Sequence, residues 1–290
     1  YAQLSKKHFI PPLTSAEFGN ANPENQYLYI STPSNTNVTY KIIPVGQPNT
    51  SILQGVVSNS DPKEIPIGTG NTQLFVASPS TSQITNNKGY IIEANDAIYV
   101  SVRVLAGGGA QAGALVSKGN AALGKTFRAG MFTNQNPQDN YLSFISVMAT
   151  ENNTEVVFSD IPTGISIKNY SGTLPITINL NEGESYIVAA NSFENTINRD
   201  GLIGALIESD KPIVVNSGST NGSFHDGGGR DYGFDQIVGI EKLMIPGKTG
   251  NEYIFVKGDG TNDWENVLIV AHTNNTSISI NGNASVATIN

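Results

Sequence analysis

A chain without thiols must draw its chemistry from imidazole, carboxylates, hydroxyls or bound ions, and this chain of 290 residues has no Cys and three His. That removes disulfides, thiolate metal ligands and a Cys nucleophile together. His225 has the most suggestive neighbours. The run Ser223-Phe224-His225-Asp226-Gly227-Gly228-Gly229-Arg230-Asp231-Tyr232 puts imidazole, two carboxylates, a guanidinium and a phenol on one glycine-rich loop, the make-up of a polar binding loop. The same three glycines equally describe a plain connector. The expected ligand-binding residues are therefore His225, Asp226, Arg230, Asp231 and Tyr232, joined by Trp264. The Trp264 ring, beside Asn262, Asp263 and Glu265, is either a platform for a sugar or a buried anchor. His8 is read as part of an N-terminal tail and His272 as a turn residue.

In Asp259-Gly260-Thr261-Asn262-Asp263, hard oxygen ligands gather around a glycine, as Ca²⁺ prefers. Asp259 and Asp263 are the expected calcium ligands, although the bidentate Glu of an EF-hand is missing and a solvated hairpin turn fits as well. No other cofactor is expected. Gly107-Gly108-Gly109-Ala110-Gln111-Ala112 satisfies the form G-x-G-x-x-A, but no acid follows about 20 residues on to hold a ribose. There is no G-x-S-x-G elbow, Walker loop or H-E-x-x-H pair. Asp210, Asp226, Asp231 and Asp235 lie close in sequence, and surface charge accounts for them better than paired glycosidase carboxylates do. No catalytic residue is assigned, and the chain reads as a non-enzyme.

Composition points the same way. Charged residues make up 14% of the chain and the formal net charge is -8. Without clustered Lys and Arg neither nucleic acid nor anionic lipid is a suitable partner. No apolar run is long enough to span a bilayer. Tyr1-Ala2-Gln3 would fit the end of a signal-peptidase site if an Ala preceded it.

Short segments alternating with period two, punctuated by Asn, Gly, Asp and Pro, predict antiparallel strands throughout. The one helical candidate is Ala110–Leu123. Self-similarity is stronger evidence of architecture. Ile145-Ser146-Val147-Met148-Ala149-Thr150-Glu151-Asn152-Asn153-Thr154 returns as Leu268-Ile269-Val270-Ala271-His272-Thr273-Asn274-Asn275-Thr276, and more weakly as Tyr29–Val38. A second anchor, Ile92–Val100, aligns with Ile207–Val215. The spacing predicts an all-β fold of repeated antiparallel units of roughly 115 to 120 residues, as stacked β-sandwiches or, alternatively, a propeller-like arrangement. The expected divisions are an N-terminal extension (1–26), a first unit (27–140), a second unit (141–263) and, over 264–290, either the start of a third unit or closing strands.

Three phrases carry a family resemblance. They are Ala271-His272-Thr273-Asn274-Asn275-Thr276-Ser277-Ile278-Ser279-Ile280-Asn281-Gly282, Leu180-Asn181-Glu182-Gly183-Glu184-Ser185-Tyr186, and Ser209-Asp210-Lys211-Pro212-Ile213-Val214-Val215-Asn216-Ser217-Gly218-Ser219, followed by Phe234-Asp235-Gln236-Ile237-Val238. In this order they resemble the N-terminal domain of the IgGFc-binding protein family, as it occurs in large secreted proteins of gliding bacteria. The resemblance implies an extracellular adhesion or structural module of a bacterial cell-surface protein. Its partners would be the type IX secretion machinery during export and a glycan or protein ligand afterwards, with no membrane insertion. A carbohydrate-binding or polysaccharide-degrading domain is the alternative.

Overall fold

The structure, a computed structural model, describes residues 3–16, 22–133, 135–138, 141–223, 229–240, 252–256, 258 and 267–290. Alternating apolar and polar residues become strands in chain order. The first series is β1 (Ser5–Ile10), β2 (Leu13–Thr14), β3 (Pro23–Ser31), β4 (Val38–Pro44), β5 (Leu53–Val57), β6 (Lys63–Gly68), β7 (Phe75–Val76), β8 (Tyr90–Ala106) and β9 (Gln111–Val116). The second is β10 (Gly124–Arg128), β11 (Leu142–Ala149), β12 (Thr154–Ser159), β13 (Ile176–Leu180), β14 (Ser185–Asn191), β15 (Leu206–Gly222) and β16 (Asp231–Ile237). A short hairpin, β17 (Thr276–Ile278) with β18 (Ala287–Ile289), ends the chain.

Each long series makes one seven-stranded sheet, the first leaving β2 and β7 as a separate parallel pair, and the two seven-stranded sheets have the same topology. The first runs β5-β4-β8-β3-β6, with β1 and β9 also paired to β8; the second runs β13-β12-β15-β11-β14, with β10 and β16 also paired to β15. The long strands β8 and β15, 17 residues each, serve two sets of neighbours. The first part of β8 carries β1 and β4, and its second part carries β3 and β9. Registers repeat as well. Ile92 pairs with His8 and Ile42, and Ile207, 115 positions on, pairs with Phe127 and Phe158. At the same offset Val100 lies opposite Ile30 and Val215 opposite Val147. The 115-residue repeat is therefore a repeat of strand order and register, built as sandwich-like sheets around bent shared strands and not as radial blades.

The units interlock. On one face of β11 and β14, Leu142, Phe144, Ile187 and Ala189 join Leu28, Ile30, Ile42, Ile92 and Val102 of the first sheet in one buried cluster, together with Tyr232 and Phe234 of β16. The alternate residues, Ile145, Val147, Tyr186 and Val188, join Phe127, Val156, Phe158 and Leu180 in the second unit's own core. All of β11 and β14 is buried as a result. Strands covered on both faces lose the alternation of a surface strand and read as continuous apolar or small-residue runs.

Several polar groups at this junction bond to one another, although among the described residues the buried hydroxyls of Ser146, Ser185 and Ser219 have no partner. The Gln236 carboxamide donates through Nε2 to Phe9 O (2.9 Å) and Asn216 Oδ1 (3.3 Å), and its Oε1 accepts from the Lys118 N–H (2.7 Å). Asn216 Nδ2 donates to Pro11 O at 3.0 Å. The His8 ring is fully buried, with Nε2 between Ser5 O (3.2 Å) and Ile98 O (3.1 Å) and Nδ1 3.0 Å from Ser117 Oγ. Two carbonyls beside Nε2 require the proton there. Ser117 Oγ also stands 3.2 Å from Gln236 Oε1, so β1, β8, β9, β15 and β16 meet in one hydrogen-bonded chain. Burial holds the His8 ring below the ordinary imidazole range, partly offset by the two carbonyl contacts.

Three expectations change. His8 is in strand β1 and not in a tail, because β1 pairs with β8 along Ser5–Ile10. The unit limits at 26/27 and 140/141 miss β1, which belongs to the first sheet, and β10, which belongs to the second. The helical candidate Ala110–Leu123 is β9 followed by a single 3₁₀ turn at Gly119–Ala122, because β9 extends the pairing of β8. Over 264–290 the structure describes residues 267–290, and among the described residues β17 and β18 pair with each other.

Two outcomes follow for stability. Gln236→Ala leaves the Phe9 carbonyl, the Lys118 N–H and the Asn216 carboxamide short of partners in a buried site, a loss of about 1–3 kcal/mol for such groups. Urea titration by tyrosine fluorescence should show it as a lower midpoint. For His8, the folded pKa lies below the unfolded value of about 6.5, so protonation favours the unfolded chain. The stability contributed by the neutral ring is complete above that value and is lost as pH falls through the folded pKa. Urea midpoints at pH 8 and pH 5.5 should fall further for the wild type than for His8→Asn.

Candidate functional site

Of the residues singled out from sequence, His225, Asp226, Asp259, Asp263 and Trp264 lie outside the described residues. The described part of that loop is tied into the scaffold. Arg230 donates Nε and Nη2 to Asn136 O (3.1 and 2.8 Å) and lies over the Tyr141 ring, 5.5 Å from its centroid. Asp231 Oδ1 accepts the Ala112 N–H at 2.8 Å, which joins β16 to the start of β9. Tyr232 is 5% exposed and its ring packs 6.2 Å from Phe75 and 5.8 Å from Phe234. Burial pushes its phenol far above the usual range. A period-two strand places Tyr232, like Phe234, on the row that fills the first unit's core. Asp231 ties β16 to β9 across the junction, and Arg230 ties the start of β16 to the segment that leads into β11.

A different surface combines exposure, aromatic rings and charge. It is the outer face of β6-β3-β8-β9 in the first sheet. On β3, Tyr27 and Tyr29 alternate with the buried Gln26, Leu28 and Ile30, so both rings project from the outer face, with centroids 6.3 Å apart. Pairing then fixes their neighbours. Tyr27 is opposite Arg103 and Pro66, and Tyr29 is opposite Ser101 and Glu64. The Arg103 guanidinium lies over the Tyr29 ring at 5.0 Å, and Tyr29 Oη donates to Glu64 Oε2 at 2.6 Å. That hydrogen bond to the carboxylate raises the Tyr29 phenol above its ordinary pKa. Tyr99, 37% exposed, follows two pairs along on β8 opposite Ser31.

The repeat shows what this face corresponds to. Register places Tyr27 where the second unit has Phe144, Tyr29 where it has Ser146, Glu64 where it has Ile187, Pro66 where it has Ala189 and Arg103 where it has Gly218. In the second unit these residues are buried against the first. In the first unit the row carries Tyr, Arg and Glu, and Arg103 and Glu64 are exposed. Tyrosine and arginine together give large, rigid, amphipathic contact area, the composition enriched in protein interfaces, and a cation over a ring pre-orders both groups. Sequence reasoning passed over these residues. The signal that would have found them is Tyr27-Leu28-Tyr29-Ile30 at period two; the equivalence of Tyr27 with Phe144 comes from strand register, since the Ile92-to-Ile207 anchor alone would align Tyr27 with Leu142.

No curated protein matches the chain, and neither does any solved structure. The family model described as IgGFc binding protein matches residues 112–290, well over half of the chain, from the start of β9 to the final hairpin. The matched stretch contains the second unit, whereas the tyrosine face on β3 and β6 precedes it. With the strand order and the junction in view, that match assigns the chain to the IgGFc-binding protein family, a family of binding proteins rather than of enzymes.

Proposed function

We propose that the chain is an extracellular binding module of a larger bacterial surface or secreted protein, and that the Tyr27–Tyr29–Arg103–Glu64 face of its first unit holds a protein ligand. The observation that carries this reading is the exchange of a buried apolar row in the second unit for an ordered tyrosine, arginine and glutamate row at the equivalent place in the first. Family membership supports a binding role, and among the described residues no helix is long and apolar enough to cross a membrane. A face of this type contacts a protein surface by stacking on the two rings and by pairing with the Arg103 guanidinium and the Glu64 carboxylate. The finer setting is an adhesin exported by the type IX system of gliding bacteria, with the units lending the protein reach and avidity.

A carbohydrate ligand is the second reading. It is favoured by an open groove of about 280 Å³ beside the junction, lined by Asn71, Gln83, Thr85, Asn86, Asn87 and Lys88. Neutral amides and hydroxyls of this kind suit sugar hydroxyls.

The test uses beads coated with the 290-residue protein on surfaces of mucin, fibronectin and IgG Fc, compared with beads carrying Tyr27→Ala/Tyr29→Ala/Arg103→Glu. Loss of interface hot-spot residues should reduce bead retention by about tenfold or more, with an unchanged circular dichroism spectrum. Retention by the variant equal to the wild type, or no wild-type retention on any of the three surfaces, would overturn the protein-ligand reading. Selective retention on mucin that is abolished by deglycosylation moves the site to the groove.

A further inference from the structure

The junction between the first and second units has a partial copy at the other end of the chain. In the first copy, Gly89 (φ +86°) closes the turn into β8, and the terminal carbon of Met148, on β11 of the second unit, lies against it. Gly204 (φ +85°) stands at the same place before β15, 115 positions on. Both glycines adopt a conformation that side chains rarely tolerate and leave room for a close neighbour. The neighbour of Gly204 is Val270: a β-carbon on Gly204 would stand 3.9 Å from Val270 Cγ1, and one on Gly130 would stand 3.6 Å from Leu268 Cδ2. Arg128 of β10 closes the contact by donating from Nε to His272 Nδ1 at 3.3 Å.

The segment 267–280 also reproduces the β11–β12 turn. Asn153 (φ +54°) and Asn275 (φ +61°) take the left-handed conformation, and Thr154 Oγ1 and Thr276 Oγ1 each donate to the carbonyl three residues earlier at 2.7 Å. β17 pairs with β18 as β12 pairs with β13: Thr276 lies opposite Ile289 as Thr154 lies opposite Leu180. Counting back from the shared turn, Val270 takes the place of Met148 and Leu268 that of Ser146, while Val267 and Ile269 take the places of Ile145 and Val147. The first pair faces the preceding unit. The second pair matches residues that are fully buried in the second unit's own core; here Val267 and Ile269 are 50% and 44% exposed and Leu268 is 45% exposed, so the rows differ in what they lie against and in the half-burial of Val270, not in the exposure of Leu268.

From these contacts we infer that the second unit's face around Arg128, Gly130 and Gly204 is a docking face for a further homologous unit, and that residues 267–280 correspond to that unit's β11-turn-β12 segment, which touches the face through Leu268 and Val270. The interface is head-to-tail: the surface a unit offers forward differs from the one it offers back. An interface of this class adds units in one direction and closes into a ring only where the rotation per unit allows it. The tyrosine face lies at the opposite end, so failure of ligand binding there and failure of this docking are separately visible.

The natural absence of Cys allows a clean test in the full 290-residue chain with a short bis-maleimide cross-linker. A freely moving segment tethered nearby would present both of its rows equally, whereas a docked one should cross-link Gly130→Cys/Leu268→Cys about tenfold faster than Gly130→Cys/Ile269→Cys. Val270→Asp in the first pair should abolish that advantage, and Val270→Met, which installs the side chain found at position 148, should keep it. Equal rates for the two pairs, or a rate for the first pair insensitive to Val270→Asp, would overturn the inference.

Discussion

A β-sheet buried on both faces has nowhere to send an unpaired polar atom, and the junction between the two units is organised around that constraint. β11 and β14 carry one core on one side and a second core on the other, and the later part of β15 is buried between the second core and a smaller cluster of Phe9, Val45, Ala122, Met148 and Val214. Among the polar groups of the described residues that remain there, the Ser146, Ser185 and Ser219 hydroxyls are buried without a hydrogen-bond partner, whereas the amides of Gln236 and Asn216 bond to protein. Gln236 and Asn216 do so by reaching the backbone of the N-terminal segment, at Phe9 and Pro11, so that segment is held by the second unit as well as by its own sheet. His8 continues the chain of contacts through Ser117. In a low-dielectric junction such bonds are strong where complete and costly where broken, which gives the stacking of the units a single registry. Exposed ion pairs across the same junction, such as Lys118 with Asp235, add little beside them.

The strand content, the repeat and its length were legible in the sequence because they rest on local rules. Period-two alternation and Asn-Thr turns need no knowledge of the fold, and the Ile92–Val100 and Ile207–Val215 anchors survive as equivalent stretches of β8 and β15 because each is the central strand on which the other strands of its unit pair. What sequence could not convey is which side of a strand faces what. Alternation assigns Tyr232 and Tyr27 to rows but does not say that the row of Tyr232 closes a neighbour's core while that of Tyr27 meets solvent. His8 was misplaced for a related reason. A single polar residue between Lys7 and Phe9 gives no hint that a partner strand 90 residues away encloses it. The Ala-rich stretch after the Gly107–Gly109 turn misled through helix propensity, which pairing to β8 overrides.

Repetition with altered faces also accounts for how one architecture serves two purposes. Where the same outward row meets another unit it carries Phe144, Met148, Ile187 and Ala189; where it meets water it carries Tyr27, Ser31, Glu64 and Pro66. That water-facing row is more specialised than solubility demands, since the guanidinium, ring and carboxylate of Arg103, Tyr29 and Glu64 order one another.

The sharing of one core between units has a consequence for the timing of folding. The apolar cluster around Ile30 and Val102 is completed by Tyr232 and Phe234, more than 120 residues downstream. A nascent chain emerging from the ribosome cannot finish its first unit until most of the second has arrived, so the early strands lock only when β16 joins them.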